Sequence, residues 1–161
     1  MAQQRTAVLV KPDGLQRGLM GEIINRFERK GLKLVGLKMV HMSDEMLSDW
    51  YAEHKDKAFF EDLKSFMGQI PIVAMAWEGI DVVPVVRSLV GTTLGREAEA
   101  GSIRGDFSMS QQLNLIHASA TTEDAEREIE IVFDESELFQ YVSAAETLIY
   151  ADYERADDDE A

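Results

Sequence analysis

The apolar positions fall into short runs whose period switches between two and about 3.6 residues, and each switch marks an element. TAVLVK at 6–11 is a β-rich run stopped by PDG, a turn signal. Met20, Ile23, Ile24 and Phe27 recur at helical spacing, and Gly31 is a natural stop. LKLVGLKMVH at 32–41 reads as a strand with imperfect alternation: Leu32 and Leu34 share a face, while Lys33 and Lys38 look toward other surroundings. Ser43 is placed to cap a helix with Met46, Leu47, Trp50, Tyr51 and His54 on roughly one side. FFEDLKSFM at 59–67 repeats the helical spacing, PIVAMAWEG at 71–79 reads as a buried strand opening on Pro71, and 82–90 is a helix provided Pro84 falls in its first turn. From Gly91 to Leu113 the period disappears, and an irregular loop of that length in a compact domain is usually functional. LIHAS at 115–119 is a short strand, after which Thr121 or Thr122 opens a helix running through Phe133.

The order β-α-β-α-α-β-α-loop-β-α suits a split βαβ, ferredoxin-like α/β sandwich. A chain of 161 residues is long enough for one proper core, and no repeat or linker interrupts it. The expectation is a single domain over 1–140 and a C-terminal extension over 141–161. The end of that extension, ADYERADDDEA, has no apolar period and reads as an acidic mobile tail.

Composition narrows the chemistry. The chain has no cysteine, which excludes disulfides, thiol nucleophiles and cysteine metal sites and fits a reducing, cytoplasmic setting. No apolar run approaches the ~20 residues of a membrane span, so neither a span nor a signal peptide is expected. A formal charge of −14 disfavours nucleic acid and anionic membranes as partners. Small phosphorylated ligands stay open if a few cations converge in a cleft. Taken alone, the acidity reads as solubility or as adaptation to a salty cytoplasm.

The aperiodic loop carries such cations. Arg87 precedes it, Thr93, Arg96 and Arg104 lie in it, and it runs into Asn114 and His117. Guanidinium groups bind phosphate oxygens bidentately; any one of these arginines taken singly is better read as the partner of a surface carboxylate, a reading that weakens for the set. Lys11 ends the first strand, a common ligand position and also an ordinary place for a solvated lysine. No GxxxxGK[ST] loop is present. The three histidines lack an HExxH-like spacing, so zinc is not expected. His117 shares a strand face with Ser119, no GxSxG elbow supports Ser119 as a nucleophile, and spacing alone favours a packed core histidine over a chemical group.

Longer patterns decide between these readings. VKPDGLQRGLMGEIINRFERKGLKLVGLKM, YAEHKDKAFFEDL, AMAWEG, SIRGDF and NLIHAS…EREI are collinear, span roughly 6–140, and together resemble a nucleoside diphosphate kinase. The joint occurrence of KPDG, IRGDF and NxxH[GA]S is highly specific, whereas KPDG alone would be weak. The resemblance implies a ferredoxin-like four-stranded antiparallel sheet covered by helices. It implies transfer of a γ-phosphoryl group from a nucleoside triphosphate to a nucleoside diphosphate by a ping-pong mechanism, with His117 as the phosphorylated nucleophile. It places Lys11, Arg87, Thr93 and Arg104 on the phosphates, with Tyr51 and His54 beside the transferring group. Lys11 and Asn114 fall on the ribose 3′-hydroxyl, and Phe59 with Leu63 under the base. Glu128 orients the histidine and Ser119 is its hydroxyl partner. Mg²⁺ is implied on the nucleotide phosphates with no protein side chain as metal ligand, and the expected assembly is a homo-oligomer, with a hexamer favoured.

The chain departs from the family pattern in places. HGSD is HASA, so Ala118 stands for a glycine and Ala120 for an aspartate, and alanine would be strained if that glycine needed a positive φ. Gln111 stands where an apolar residue usually faces the base. Gly95 and Ala58 replace common prolines, which predicts a looser loop. Two functions therefore stay in view: an active kinase, or a nucleotide-binding protein on the same fold with catalysis lost.

Overall fold

A computed structural model describes residues 3–155. Four strands, β1 (Gln3–Val10), β2 (Lys33–Val40), β3 (Ile72–Ile80) and β4 (Ile116–Ala118), form one sheet in the order β2-β3-β1-β4. Each neighbouring pair is antiparallel, as the ferredoxin-like expectation requires. β1 and β3 occupy the middle and are buried on both faces, which is why they read as continuous apolar runs. Val8, Val10, Met75 and Trp77 point to the face packed by Ile23 and Phe27 of α2 (Met20–Lys30) and Val82 and Val86 of α5 (Val82–Val90). Ala7, Leu9, Ala74 and Ala76 point to the other face. There they meet Leu47 and Trp50 of α3 (Asp44–Trp50), Met67 of α4 (Phe60–Met67) and Ile129 and Val132 of α7 (Thr122–Val132).

Local chemistry sets the boundaries. Ser43 caps α3 by accepting from the Met46 N–H at 3.1 Å, and Thr121 caps α7 by accepting from Asp124 at 3.1 Å. α2 stops at Gly31, whose φ is 99°. Pro84 is the third residue of α5, within its first turn.

Four expectations change. PDG is not a free turn but the start of α1 (Pro12–Gln16), because a proline at the first helical position has no N–H to lose. The strand over 32–41 is bulged between Leu34 and Gly36, which accounts for its broken alternation. Tyr51 and His54 do not ride on α3. That helix ends at Trp50, and the chain turns through a short 3-10 segment, Ala52–His54, where Ala52 and Glu53 are exposed. The loop over 91–113 holds a 3-10 turn at Gly95–Glu97 and α6 (Ile103–Phe107), capped by Ser102. Its shortness hid it from a periodicity reading.

Residues 139–150 lie along the sheet edge. The Phe139 N–H donates to Val35 O at 2.8 Å, the Tyr141 hydroxyl to Leu34 O at 2.8 Å, and the Ile80 N–H to the Tyr150 hydroxyl at 3.2 Å. Two further short helices, α8 (Glu146–Ile149) and α9 (Asp152–Arg155), follow, and the remainder of the expected tail, 156–161, lies outside the described residues.

α6 fits its place only because of the glycine in IRGDF. A Cβ on Gly105 would stand 1.9 Å from the Glu99 carbonyl oxygen and 2.8 Å from the Ser102 hydroxyl. Gly105→Ala is expected to cost ~1–3 kcal/mol by overpacking and to lower Tm by several degrees. Thermal unfolding monitored by circular dichroism checks this, and an unchanged Tm would show that α6 can shift freely.

Candidate active site

His117 sits in the three-residue strand β4, opposite Leu9 of β1. Its neighbours Ile116 and Ala118 pack toward the α2/α5 face, so the alternating pleat sends its ring to the opposite side, toward α3 and α7. There the Trp50 indole meets the imidazole edge-on, with centroids 5.1 Å apart at 70°. His117 Nε2 lies 2.9 Å from Glu128 Oε2, and Glu128 is buried on α7. The same oxygen accepts the Ser119 hydroxyl at 2.6 Å, while Ser119 Oγ accepts the Ala7 N–H at 3.2 Å. A carboxylate only accepts, so Nε2 carries the proton and the lone pair of a neutral ring is on Nδ1. Among the described residues Nδ1 has no hydrogen-bond partner.

The ring borders a cleft of about 880 Å³. Lys11, Tyr51, His54, Phe59, Leu63, Arg87, Thr93, Arg104 and Asn114, all singled out from the sequence, line it together with His117. Ser119 and Glu128 lie behind the histidine rather than in the cleft wall. Arg96 also lines the cleft. Among the described residues no carboxylate forms an ion pair with Lys11, Arg87, Arg96 or Arg104, so the alternative reading of these cations as surface ion-pair partners does not hold. In a chain with 30 acidic and 16 basic side chains, four unneutralised cations around one cleft form a local inversion of the field.

Two of these cations are tied to the protein frame. Lys11 Nζ donates to Asn114 Oδ1 at 2.7 Å, and Asn114 Nδ2 donates to Thr93 O and Gln111 O at 2.9 and 2.8 Å. Burial, then the neighbouring Arg104, lower the Lys11 ammonium from 10.5 to about 8, against an opposing pull from Asp13. Arg104 donates to Asn114 O, Gly91 O and Ile116 O at 3.3, 2.9 and 2.6 Å, so it braces the junction between α6 and β4 as well as facing the cleft. Burial, then Arg87, lower it to about 10. Across the cleft, Phe59 is 49% exposed, with its ring 5.6 Å from His54, which in turn stacks 6.3 Å from Tyr51. Burial and then Glu128 push the Tyr51 hydroxyl above its usual range.

The departures from the family pattern take definite places. Among the described residues the only non-glycine positive φ values are those of Asp81 and Leu115, so Ala118 carries no such strain. Gly95 donates its N–H to Ser110 O at 3.0 Å, a bond that proline could not make. A Cβ there would also fall 2.3 Å from the Ser108 hydroxyl, so the loop is closely packed where a looser one was expected. Gln111 lines the cleft beside Gln112 and Ser110. Sequence reasoning missed Trp50 as a neighbour of His117, since it read only as an apolar residue of α3. It also missed Asp62, the one carboxylate among the cleft-lining residues. Among the described residues no group of three or more metal-ligating side chains occurs, and the cation-rich lining of the cleft fits an anionic polyphosphate.

The family model for nucleoside diphosphate kinase matches residues 4–138. The chain is 51% identical over 138 residues to a nucleoside diphosphate kinase of Parabacteroides distasonis, covering 86% of this chain and 90% of the relative. Its fold is similar to a nucleoside diphosphate kinase family protein from Babesia bovis, with TM-score 0.89 and 45% identity over 91% of this chain and 99% of the other. It is equally similar to a halophilic nucleoside diphosphate kinase from Halobacterium salinarum in complex with CDP, with TM-score 0.89 and 46% identity over 92% of this chain and 99% of the other. Agreement at this identity across nearly the whole fold means that the chain belongs to the nucleoside diphosphate kinase family and is a phosphotransferase acting on nucleotides.

Proposed function

We propose that the protein, working in the cytoplasm, carries the γ-phosphoryl group of a nucleoside triphosphate to a nucleoside diphosphate as a phosphohistidine at His117. The observation that carries this reading is a histidine fixed by a carboxylate through one nitrogen, beside cations that form no ion pair with a carboxylate among the described residues. Glu128 holds the Nε2 proton and leaves the Nδ1 lone pair to attack the γ-phosphorus. The new N–P bond forms as the β–γ bridging P–O bond breaks, and the leaving diphosphate takes that electron pair. The acceptor diphosphate then attacks the phosphorus from the same cleft, the N–P bond breaks, and its electrons return to Nδ1. Reactant and product phosphates are alike, so the exchange runs in both directions.

Lys11, Arg87, Thr93 and Arg104 are assigned to the phosphate oxygens, and Tyr51 and His54 to the group in flight. Their charge and hydrogen bonds favour the transition state, in which charge spreads over the phosphoryl oxygens. Mg²⁺ bound to the phosphates supplies further charge neutralisation there. Lys11 and Asn114 are assigned to the ribose 3′-hydroxyl. The exposed Phe59 ring with Leu63 gives the base an apolar platform, and stacking on a π-face accepts every base.

Incubation with γ-labelled ATP is expected to place an acid-labile label on His117, and the label should leave on addition of a second nucleoside diphosphate. His117→Ala should take up none; labelling equal to wild type would refute the mechanism. Nucleotide binding without exchange would favour the binding-protein alternative.

Because kcat/KM reports groups of the free enzyme, it is expected to decline as pH rises through about 8, where Lys11 loses its charge. The sign follows from a lowered lysine: the cation is present below that value and lost above it. A wild-type profile still flat well above this pH would show that Lys11 keeps its charge there, and Lys11→Ala with unchanged KM would remove it from phosphate binding.

The assembly is proposed to be a homo-hexamer, supported by family membership and by Leu37 and Met39, which stay 49% and 61% exposed on edge strand β2. Light scattering should give six times the chain mass of 18.1 kDa. A monomer mass at both low and high salt would overturn it.

A further inference from the structure

Leu115 lies between Asn114 and the strand that carries His117, and its φ of 73° is left-handed. A branched, fully buried side chain holds that conformation only where its surroundings enforce it. Both backbone groups of Leu115 are gripped from the end of β1. Its carbonyl accepts the Lys11 N–H at 2.9 Å, and its N–H donates to Asp13 Oδ2 at 2.9 Å. The other carboxylate oxygen, Asp13 Oδ1, is buried without a hydrogen-bond partner among the described residues. Its local field includes two cations of the cleft, since Asp13 pulls both Lys11 and Arg104 toward their charged forms.

We infer that Asp13 is a positioning residue of the site: one oxygen locks the left-handed bend at Leu115, and with it the placement of Asn114 on one side of the bend in the chain and of the strand bearing His117 on the other. The field of the same carboxylate also favours the charged form of Lys11. The inference rests on the proposed role of Lys11 at the nucleotide. The groups that bear on Lys11 are few. Arg104 from α6 opposes its charge, Asp13 from α1 supports it, and Asn114 Oδ1 and the Gln112 carbonyl accept from its ammonium at 2.7 and 3.5 Å. Asp13 is the one carboxylate among these groups, and it favours the charged form of Lys11 against burial and Arg104.

Two substitutions separate anchor from charge. Asn at 13 retains an oxygen to accept the Leu115 N–H but carries no charge. Asp13→Asn is expected to keep kcat/KM at pH 6.5 near wild type, while the alkaline limb moves to lower pH. Asp13→Ala loses the anchor as well and should lose about tenfold or more in kcat/KM even at low pH, with Asn restoring it. Circular dichroism melts confirm that each variant is folded, and the Asn profile decides the charge role even if the Ala variant does not fold. An Asn profile that superimposes on wild type overturns the charge role, and an Ala variant as active as Asn at pH 6.5 overturns the anchor. Labelling of wild-type His117 is measured in parallel. If wild type takes no label the phosphohistidine reading fails, and if it labels while both Asp13 variants match wild type only this inference fails.

Discussion

Leu9 faces His117 across the β1–β4 pairing, and that register governs the rest of the site. β1 is a central strand, buried on both faces, so its position is fixed by the whole core. Lys11 follows its last residue and therefore arrives at the cleft with little freedom. β4 has only three residues and would be a weak strand by itself. It is held by what surrounds it: Arg104 donates to the carbonyls of Asn114 and Ile116, and Leu115 is gripped at both its N–H and its carbonyl. The short strand is thus as well placed as the long one beside it, and the histidine inherits that placement.

Charge is arranged against the trend of the chain. A net −14 protein keeps Lys11, Arg87, Arg96 and Arg104 free of ion-pair partners among the described residues. Burial, and then a neighbouring cation, make the charged forms of Lys11 and Arg104 less favourable than in water. A polyphosphate relieves that mutual repulsion on binding, so ligand and site each supply what the other lacks.

Much of this was legible in the sequence because it depends on period and on residue type. Val8, Val10, Met75 and Trp77 alternate with Ala7, Leu9, Ala74 and Ala76, and strands buried on both faces follow from that. The motif residues fell in one cleft because their resemblance to a known family is collinear over the fold. What the sequence hid depends on contacts between distant segments. Trp50 looked like any apolar residue of a helix until the structure set it against His117. Arg104 read as a partner for phosphate or for a surface carboxylate, and its three bonds to backbone carbonyls left no trace in the sequence. α6 spans too few residues to show a period, so its helical form rests on the Ser102 cap and on a glycine whose place a larger residue takes only by displacing the Glu99 carbonyl.

The altered residues near the histidine fit the same logic. Proline stiffens a loop by restricting the unfolded chain, and Gly95 gives up that benefit. In exchange the backbone N–H is free to bond Ser110 O, and the absent Cβ lets Ser108 pack against it. Ser108 in turn donates to the Ser110 and Leu113 carbonyls, at 3.3 and 3.1 Å. The segment leading to Asn114 is therefore ordered by hydrogen bonds instead of ring constraint. That order does not require proline or glycine at the family's usual places, and Ala118 in extended backbone needs no glycine either. The substitutions shift the means by which the cleft is held in shape while leaving the His117–Glu128–Ser119 geometry intact.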